Sequence, residues 1–246
     1  MRERNFDIAT ADGKMDTFIT HPDEGGPFPA VIIYMDAPGI REELYDFARR
    51  VGTVGYYCMV PDLYYRQGRV RFDRKHMDEV QRAEMIAVMG TLSNGLIMDD
   101  TRAMLDFMSQ GEPVRPGPKG SIGYCMSGQF VLSAAGTFPE EFRATASLHG
   151  VKHVTAQPDS PHLLTEKFRG EMYLGFAEDD PHVPLAEVEA LRESLTGTTV
   201  KHKIEVHPGT EHGYTFPERQ AFQKEAAERS WERIFAMFHR QMRPGE

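Results

Sequence analysis

The stretch Lys119-Gly-Ser-Ile-Gly-Tyr-Cys-Met-Ser-Gly-Gln-Phe130 decides how this chain is read. Ser121 and Ile122 lead into Gly123-Tyr124-Cys125-Met126-Ser127-Gly128, and the apolar run Phe130-Val131-Leu132 follows. A side chain displayed at a sharp strand-to-helix turn needs small residues two positions before and two after it, because the two backbones nearly touch there. Gly123 and Ser127 fill those positions around Cys125. Were Ser127 the displayed residue, Cys125 and Gln129 would have to fill them, and glutamine is too bulky. The turn also aims a helix N-terminus at the sulfur, which favours thiolate over thiol. These features imply a hydrolase with a cysteine nucleophile.

Outward from that turn, strand and helix patterns alternate. Phe6 to Thr10 and Met15 to Thr20 flank Asp12-Gly13 and predict an opening hairpin. Pro29-Ala-Val-Ile-Ile-Tyr-Met-Asp36 is a continuous apolar run, as a strand covered on both faces requires. Glu42 to Val54 carries Leu44, Phe47, Ala48 and Val51 at helical spacing, and the strand Tyr56 to Val60 stops at Pro61. From His76 to Gln110 the pattern is helical and Met-rich, broken near Ser93-Asn94-Gly95. Strands at Ser121–Tyr124, Ala144–Leu148, Met172–Ala177 and His202–Val206 then alternate with helices near 126–137, 185–195 and 218–241. That alternation predicts an α/β fold, a central and mostly parallel sheet with helices on both faces. No repeat or low-complexity linker divides the chain, so a single domain over 1–246 is expected.

At 246 residues with a net charge of −9, the chain is unsuited to nucleic acid or an anionic membrane surface as its main partner. Arg66, Arg69, Arg71, Arg74 and Lys75 form only a local basic cluster. Two cysteines, Cys58 and Cys125, make neither a disulfide framework nor a metal-ligand spacing. Cys58 reads as inert core. The N-terminus Met-Arg-Glu-Arg-Asn-Phe-Asp has no apolar signal region, and the longest apolar run, Ala30 to Met35, falls far short of a membrane span. A cytoplasmic protein without metal or organic cofactor, a monomer or small homo-oligomer, is the expectation.

In a parallel sheet, reacting groups gather at the C-terminal strand ends. Asp36, Cys125, the cluster Glu178-Asp179-Asp180 and His212 fall there, and so does His149. The order nucleophile, acid, histidine is that of α/β-hydrolases. A thiol is mostly protonated near neutral pH unless a base takes its proton, and a carboxylate can fix the histidine that does so. Asp180 is preferred to Asp179 as that carboxylate, on the Val183-Pro184 anchor that follows it and its place in the loop after the strand. His153, His162, His182, His202 and His207 lack an acid-base context and read as surface or loop residues.

Taken together, these residues resemble the dienelactone hydrolase family of α/β-hydrolases. Gly123-Tyr-Cys-Met-Ser-Gly128 looks like its nucleophile elbow, Pro61-Asp-Leu-Tyr64 with Arg66-Gln67 like the segment after its fourth strand, Asp180-x-x-Val183-Pro184 like its acid motif, and His207-Pro-Gly-Thr-Glu-His-Gly-Tyr214 like its histidine loop. The resemblance implies Cys125 as nucleophile, His212 as general base and acid, and Asp180 as the group orienting it. It implies backbone N–H groups of Met126 and Ala37 as an oxyanion hole, and Asp36 in the place of a glutamate that contacts the resting thiol. It implies substrate contacts near Tyr64, Arg66, His149, Phe216 and Arg219. Family members hold a substrate carboxylate with two arginines. Arg66 matches the first, but the second position is Phe216 here, with Arg219 displaced. The expected substrate is therefore a small-molecule carboxylic ester or lactone, cleaved through a thioester, and not dienelactone itself. Two alternatives keep the same cysteine: a promiscuous aryl-esterase or phosphotriesterase, and a non-catalytic thiol sensor.

Overall fold

The computed structural model describes residues 1–74 and 76–243, so Lys75 of the basic cluster lies outside the described residues. Contacts divide the chain into two compact units, Met1–Pro116 and Gly117–Glu246.

In the first unit, β1 (Arg2–Thr10) and β2 (Gly13–His21) form the antiparallel hairpin, with Thr10 opposite Gly13 and Ile8 opposite Met15. Gly13 is thus the first strand residue and not the tip of the turn. Beyond β2 the order is β4 (Tyr57–Pro61), then β3 (Ala30–Tyr34), with β2 and β4 antiparallel and β3 and β4 parallel. Every residue of β3 and β4 is buried, as the continuous apolar runs require. Helix α1 (Glu42–Thr53) buries Leu44, Phe47, Ala48 and Val51, a single stripe that packs on β2 and β4. The Met-rich region is two helices, α2 (Glu79–Met89) and α3 (Asn94–Met108). Ser93 makes the break, its Oγ accepting the Leu96 N–H at 3.2 Å as the α3 cap. Met98, Met104 and Met108 of α3 are core, whereas α2 buries none of its residues.

The second unit runs β5 (Lys119–Tyr124), α4 (Gly128–Thr137), β6 (Phe142–Leu148), β7 (Glu171–Asp179), α5 (Leu185–Leu195), β8 (Lys201–Glu211) and α6 (Lys224–Met242). Its strands lie side by side in sequence order and all pairs are parallel. Gly120 and Gly123 point to opposite faces of β5, being an odd number of residues apart. A Cβ on Gly120 would touch Phe238 and Met242 of α6, and one on Gly123 would strike Val131 of α4. Helices therefore cover both faces of this strand. A 3₁₀ segment, Pro161–Lys167, stands in the β6–β7 connection, where the sequence pattern predicts no element.

The expected helix 218–241 begins only at Lys224. Residues 213–222 form successive tight turns instead, with Phe216 N–H to Gly213, Arg219 N–H to Phe216 and Phe222 N–H to Arg219, and Gln223 N–H closes the loop on the Tyr214 carbonyl. Burial of Tyr214 and Phe216 overrides helix propensity there. Among the described residues no helix is long and apolar enough to cross a membrane, and no group of three His, Cys, Asp or Glu side chains forms a metal-ligating cluster.

Leu174, fully buried in the middle of β7, tests this core. Leu174→Ala is expected to lower unfolding free energy by about 2–5 kcal/mol in urea titration, from lost burial and the cavity left behind.

Candidate active site

Cys125 follows β5 directly and sits at φ +52°, in the left-handed region that only glycine enters freely. A 3₁₀ turn, Cys125–Ser127, then opens into α4. Such a conformation costs about 1–3 kcal/mol and persists only where the surroundings impose it. They do so by closeness. A Cβ on Gly123 would lie 2.5 Å from the Ser127 carbonyl oxygen and 2.8 Å from the Val131 side chain. A Cβ on Gly128 would lie 2.6 Å from the Gly150 Cα. Ser127 is wholly buried, while Cys125 keeps partial exposure. Cys58 differs in every respect: it is buried in β4, and burial pushes its thiol well above the ordinary range.

His212 lies just past β8 and Asp180 just past β7, and their side chains meet, His212 Nδ1 standing 2.7 Å from Asp180 Oδ2. The other Asp180 oxygen accepts the His182 N–H at 2.9 Å, which fixes the carboxylate in its turn. Asp179, by contrast, is an exposed strand residue opposite Glu211. Burial disfavours charge on the His212 ring, but the Asp180 hydrogen bond and the Cys125 sulfur outweigh it and raise the ring to about 9. His212 Nε2 is buried and completes no bond of ordinary geometry.

His149 ends β6 at φ +39°, wholly buried. Its ring meets the His212 ring edge to face at 5.0 Å, and its Nε2 is 2.8 Å from Thr215 Oγ1. Tyr124, Phe216 and Tyr214 pack around it, and the Arg219 guanidinium lies 4.2 Å over the Phe216 ring. Phe216 and Arg219 thus stand in one buried stack beside the histidine loop. His153 and His207, read from the sequence as surface or loop residues, are buried: His153 is wholly enclosed, and His207 Nε2 is 3.1 Å from the Tyr173 hydroxyl.

Residues expected to matter in the first unit have their own local partners. Asp36 is fully buried and held by Arg41, at 2.5 Å from Nη1 and 3.3 Å from Nη2. The Tyr64 hydroxyl donates to the Ala37 carbonyl at 2.8 Å, so two successive residues after β3 are each held by a side chain. Arg66 makes a bidentate pair with Asp100, both contacts 2.8 Å, and a third with Asp12 at 2.7 Å, over the ring of Tyr65. Its guanidinium is thereby engaged by carboxylates of this chain, as is that of Arg71 by Asp62.

The family model for the dienelactone hydrolase family matches residues 15–242. The chain belongs to the dienelactone hydrolase family. A protein of Synechocystis sp. named "putative carboxymethylenebutenolidase" is 28% identical, over 92% of each chain. A solved structure described as a "putative dienelactone hydrolase" from Klebsiella pneumoniae superposes with a TM-score of 0.84 at 21% identity, covering 96% of this chain and 98% of that one. Another, a dienelactone hydrolase-like promiscuous phosphotriesterase from metagenomic libraries, gives a TM-score of 0.79 at 18% identity, covering 98% of each chain. The fold is that of the α/β-hydrolases, and the chain is a dienelactone hydrolase-like hydrolase of the carboxylic ester class.

For this hydrolase two outcomes follow from the geometry. Gly123→Ala is expected to destabilise the fold by about 1–3 kcal/mol or more through overpacking, because its methyl would overlap backbone at 2.5 Å. Loss of Cys125 alkylation in any folded fraction would accompany it, and a variant with normal stability and reactivity would contradict the close approach. In NMR titration His212 is expected near 9, and Asp180→Asn is expected to bring it down by about one unit or more, since a carboxylate partner is worth that much. The protonated ring is the stabilised form, so its contribution to stability is complete below the ordinary 6.5 and is lost as pH rises through about 9.

Proposed function

We propose that this chain hydrolyses uncharged carboxylic esters or lactones through a thioester on Cys125, with His212 and Asp180 completing a catalytic triad. One observation carries the reading: a cysteine held at φ +52° on a strand-to-helix turn, in the same unit as a His212–Asp180 pair at 2.7 Å whose ring responds to the Cys125 sulfur. The family match over residues 15–242 supports it, as does the name carboxymethylenebutenolidase carried by a relative. Because the match spans both units, the whole chain is proposed to act as one hydrolase domain.

In this mechanism the Cys125 thiolate attacks the acyl carbon and a C–S bond forms. The carbonyl π pair moves to oxygen, where the Met126 N–H, first past the nucleophile, donates to it. The resemblance adds the Ala37 N–H as a second donor and Asp36 as a group for the resting thiol. Local support for these is that Tyr64 holds the Ala37 carbonyl and Arg41 the Asp36 carboxylate. Collapse of the oxyanion expels the alkoxide, which takes the proton from His212 Nε2. A lactone keeps that alcohol tethered to the acyl group. Neutral His212 then takes a proton from water, hydroxide adds to the thioester, and the thiolate leaves with the carboxylic acid as product. Asp180 keeps Nδ1 protonated throughout and so leaves Nε2 to exchange protons.

Preference for an uncharged substrate rests on the arginines. Arg66 is committed to Asp100 and Asp12, and Arg219 is stacked on Phe216, which occupies the position of the family's second arginine. We expect p-nitrophenyl acetate to be turned over and a dienelactone to be a poor substrate. Cys125→Ala is expected to lower kcat by about 10³-fold or more while leaving the circular dichroism spectrum unchanged. Full activity of that variant would refute the nucleophile, and efficient dienelactone turnover would refute the substrate class.

A further inference from the structure

Glu187 and His153 take no part in the reaction proposed above, yet both bear on the nucleophile turn. The segment after β6 is strained, with His149 at φ +39° and Lys152 at φ +60°. Between these two, the Val151 N–H donates to the carbonyl oxygen of Cys125 itself at 3.0 Å. The left-handed turn of the nucleophile is therefore held from outside its own strand and helix, by a loop that is itself out of its preferred conformation.

What holds that loop is a carboxylate on another element. Glu187 stands in the first turn of α5, but its side chain reaches away from the helix, and its Oε1 accepts the His153 N–H at 3.0 Å. Burial pushes its carboxyl up, the N–H groups of His153, Val154 and Lys152 act against that, and the charge of nearby Asp180 adds to the rise. The His153 N–H makes the hydrogen bond of ordinary geometry, and that bond ties the loop after β6 to the first turn of α5. His153 fills the space behind. Its ring nitrogen Nε2 is 2.9 Å from Ser147 Oγ, and it would lie 2.8 Å from a Cβ on either Gly128 or Gly150. Nδ1 has no hydrogen-bond partner and stands 3.8 Å from Glu187 Oε1.

We infer that Glu187 is a positioning residue for the nucleophile: by holding the His153 N–H, two residues past Val151, it keeps the Val151 N–H on the Cys125 carbonyl and so fixes the turn that presents the sulfur. This rests on Cys125 being the nucleophile. It also gives Glu187 a part in registering the two halves of the triad, since α5 follows the Asp180 turn and the gripped loop follows β6.

The test uses the full chain with Glu187→Ala, Glu187→Gln and Cys125→Ala. Three quantities are read: the thermal midpoint, the rate of Cys125 alkylation by iodoacetamide across pH, and kcat and KM on p-nitrophenyl acetate. Glu187→Ala is expected to slow alkylation at neutral pH and lower kcat by about tenfold each, with KM changed by no more than about twofold, because misplacement of a reacting group is felt in rate before affinity. Glu187→Gln keeps one acceptor oxygen and should fall between. A merely structural glutamate would move the thermal midpoint and leave alkylation of the folded protein untouched, which would overturn the inference. Where the alanine variant fails to fold, the glutamine variant decides: slowed alkylation upholds the positioning role, and an unchanged rate ends it. Turnover retained in Cys125→Ala would remove the underlying mechanism and the inference with it, a failure visible whatever the Glu187 variants do.

Discussion

The near-contact of strand β5 with helix α4 is the constraint on which the rest of this molecule turns. Gly123 and the Ser127 carbonyl come so close that no Cβ fits between them, and this closeness bends Cys125 into the left-handed region. Once the residue is bent, its side chain leaves the sheet at the C-terminal edge, over the start of a helix whose N–H groups favour negative charge. The neighbouring glycines follow from the same constraint. Gly128 and Gly150 are nearly in contact, which lets the loop after β6 lie on the helix start and send the Val151 N–H to the Cys125 carbonyl. Strain at the proposed nucleophile is thus shared among two glycine contacts and one backbone hydrogen bond.

Around that turn the second unit divides charge from apolar packing. Asp180 and His212 form a partly buried pair whose protonated form is favoured well beyond an ordinary imidazole, while His153, two residues past Val151 and wholly buried, is driven by burial down to about 3 and stays neutral. His212 has a carboxylate in hydrogen-bond contact and the Cys125 sulfur nearby to offset desolvation, whereas His153 has burial alone. A neutral imidazole suits the wedge that His153 forms between two close backbones.

Much of the fold and the central site was legible in the sequence, and the failures have physical causes. The alternation of apolar runs with helical stripes places β3 to β8 and α1 close to their observed positions, because parallel strands are buried on both faces and show it as unbroken apolar runs. The pairing of His212 with Asp180 rather than Asp179 agrees with the sequence preference, since a two-residue step along the Asp180-x-x-Val183 turn sends the carboxylate off the strand. Helix α6 starts later than its composition predicts because residues 218–223 are tied to Phe216 and Tyr214 by turns. His153 was misread because nothing local distinguishes a histidine that fills a gap between two glycines distant in the chain.

What the sequence determined by itself is the alternation of elements, the small residues around Cys125 and the order of cysteine, acid and histidine. These are local patterns, governed by side-chain period and by the space available at a turn. Tertiary structure alone decided which charged groups are committed and which are not. Arg66 matches a substrate-contact position in the sequence and is held by Asp100 and Asp12, and Glu187, in the first turn of α5, accepts a backbone N–H from the loop after β6. Such ion pairs and hydrogen bonds join residues tens of positions apart, and their partners are chosen by how strands stack, which no spacing along the chain records.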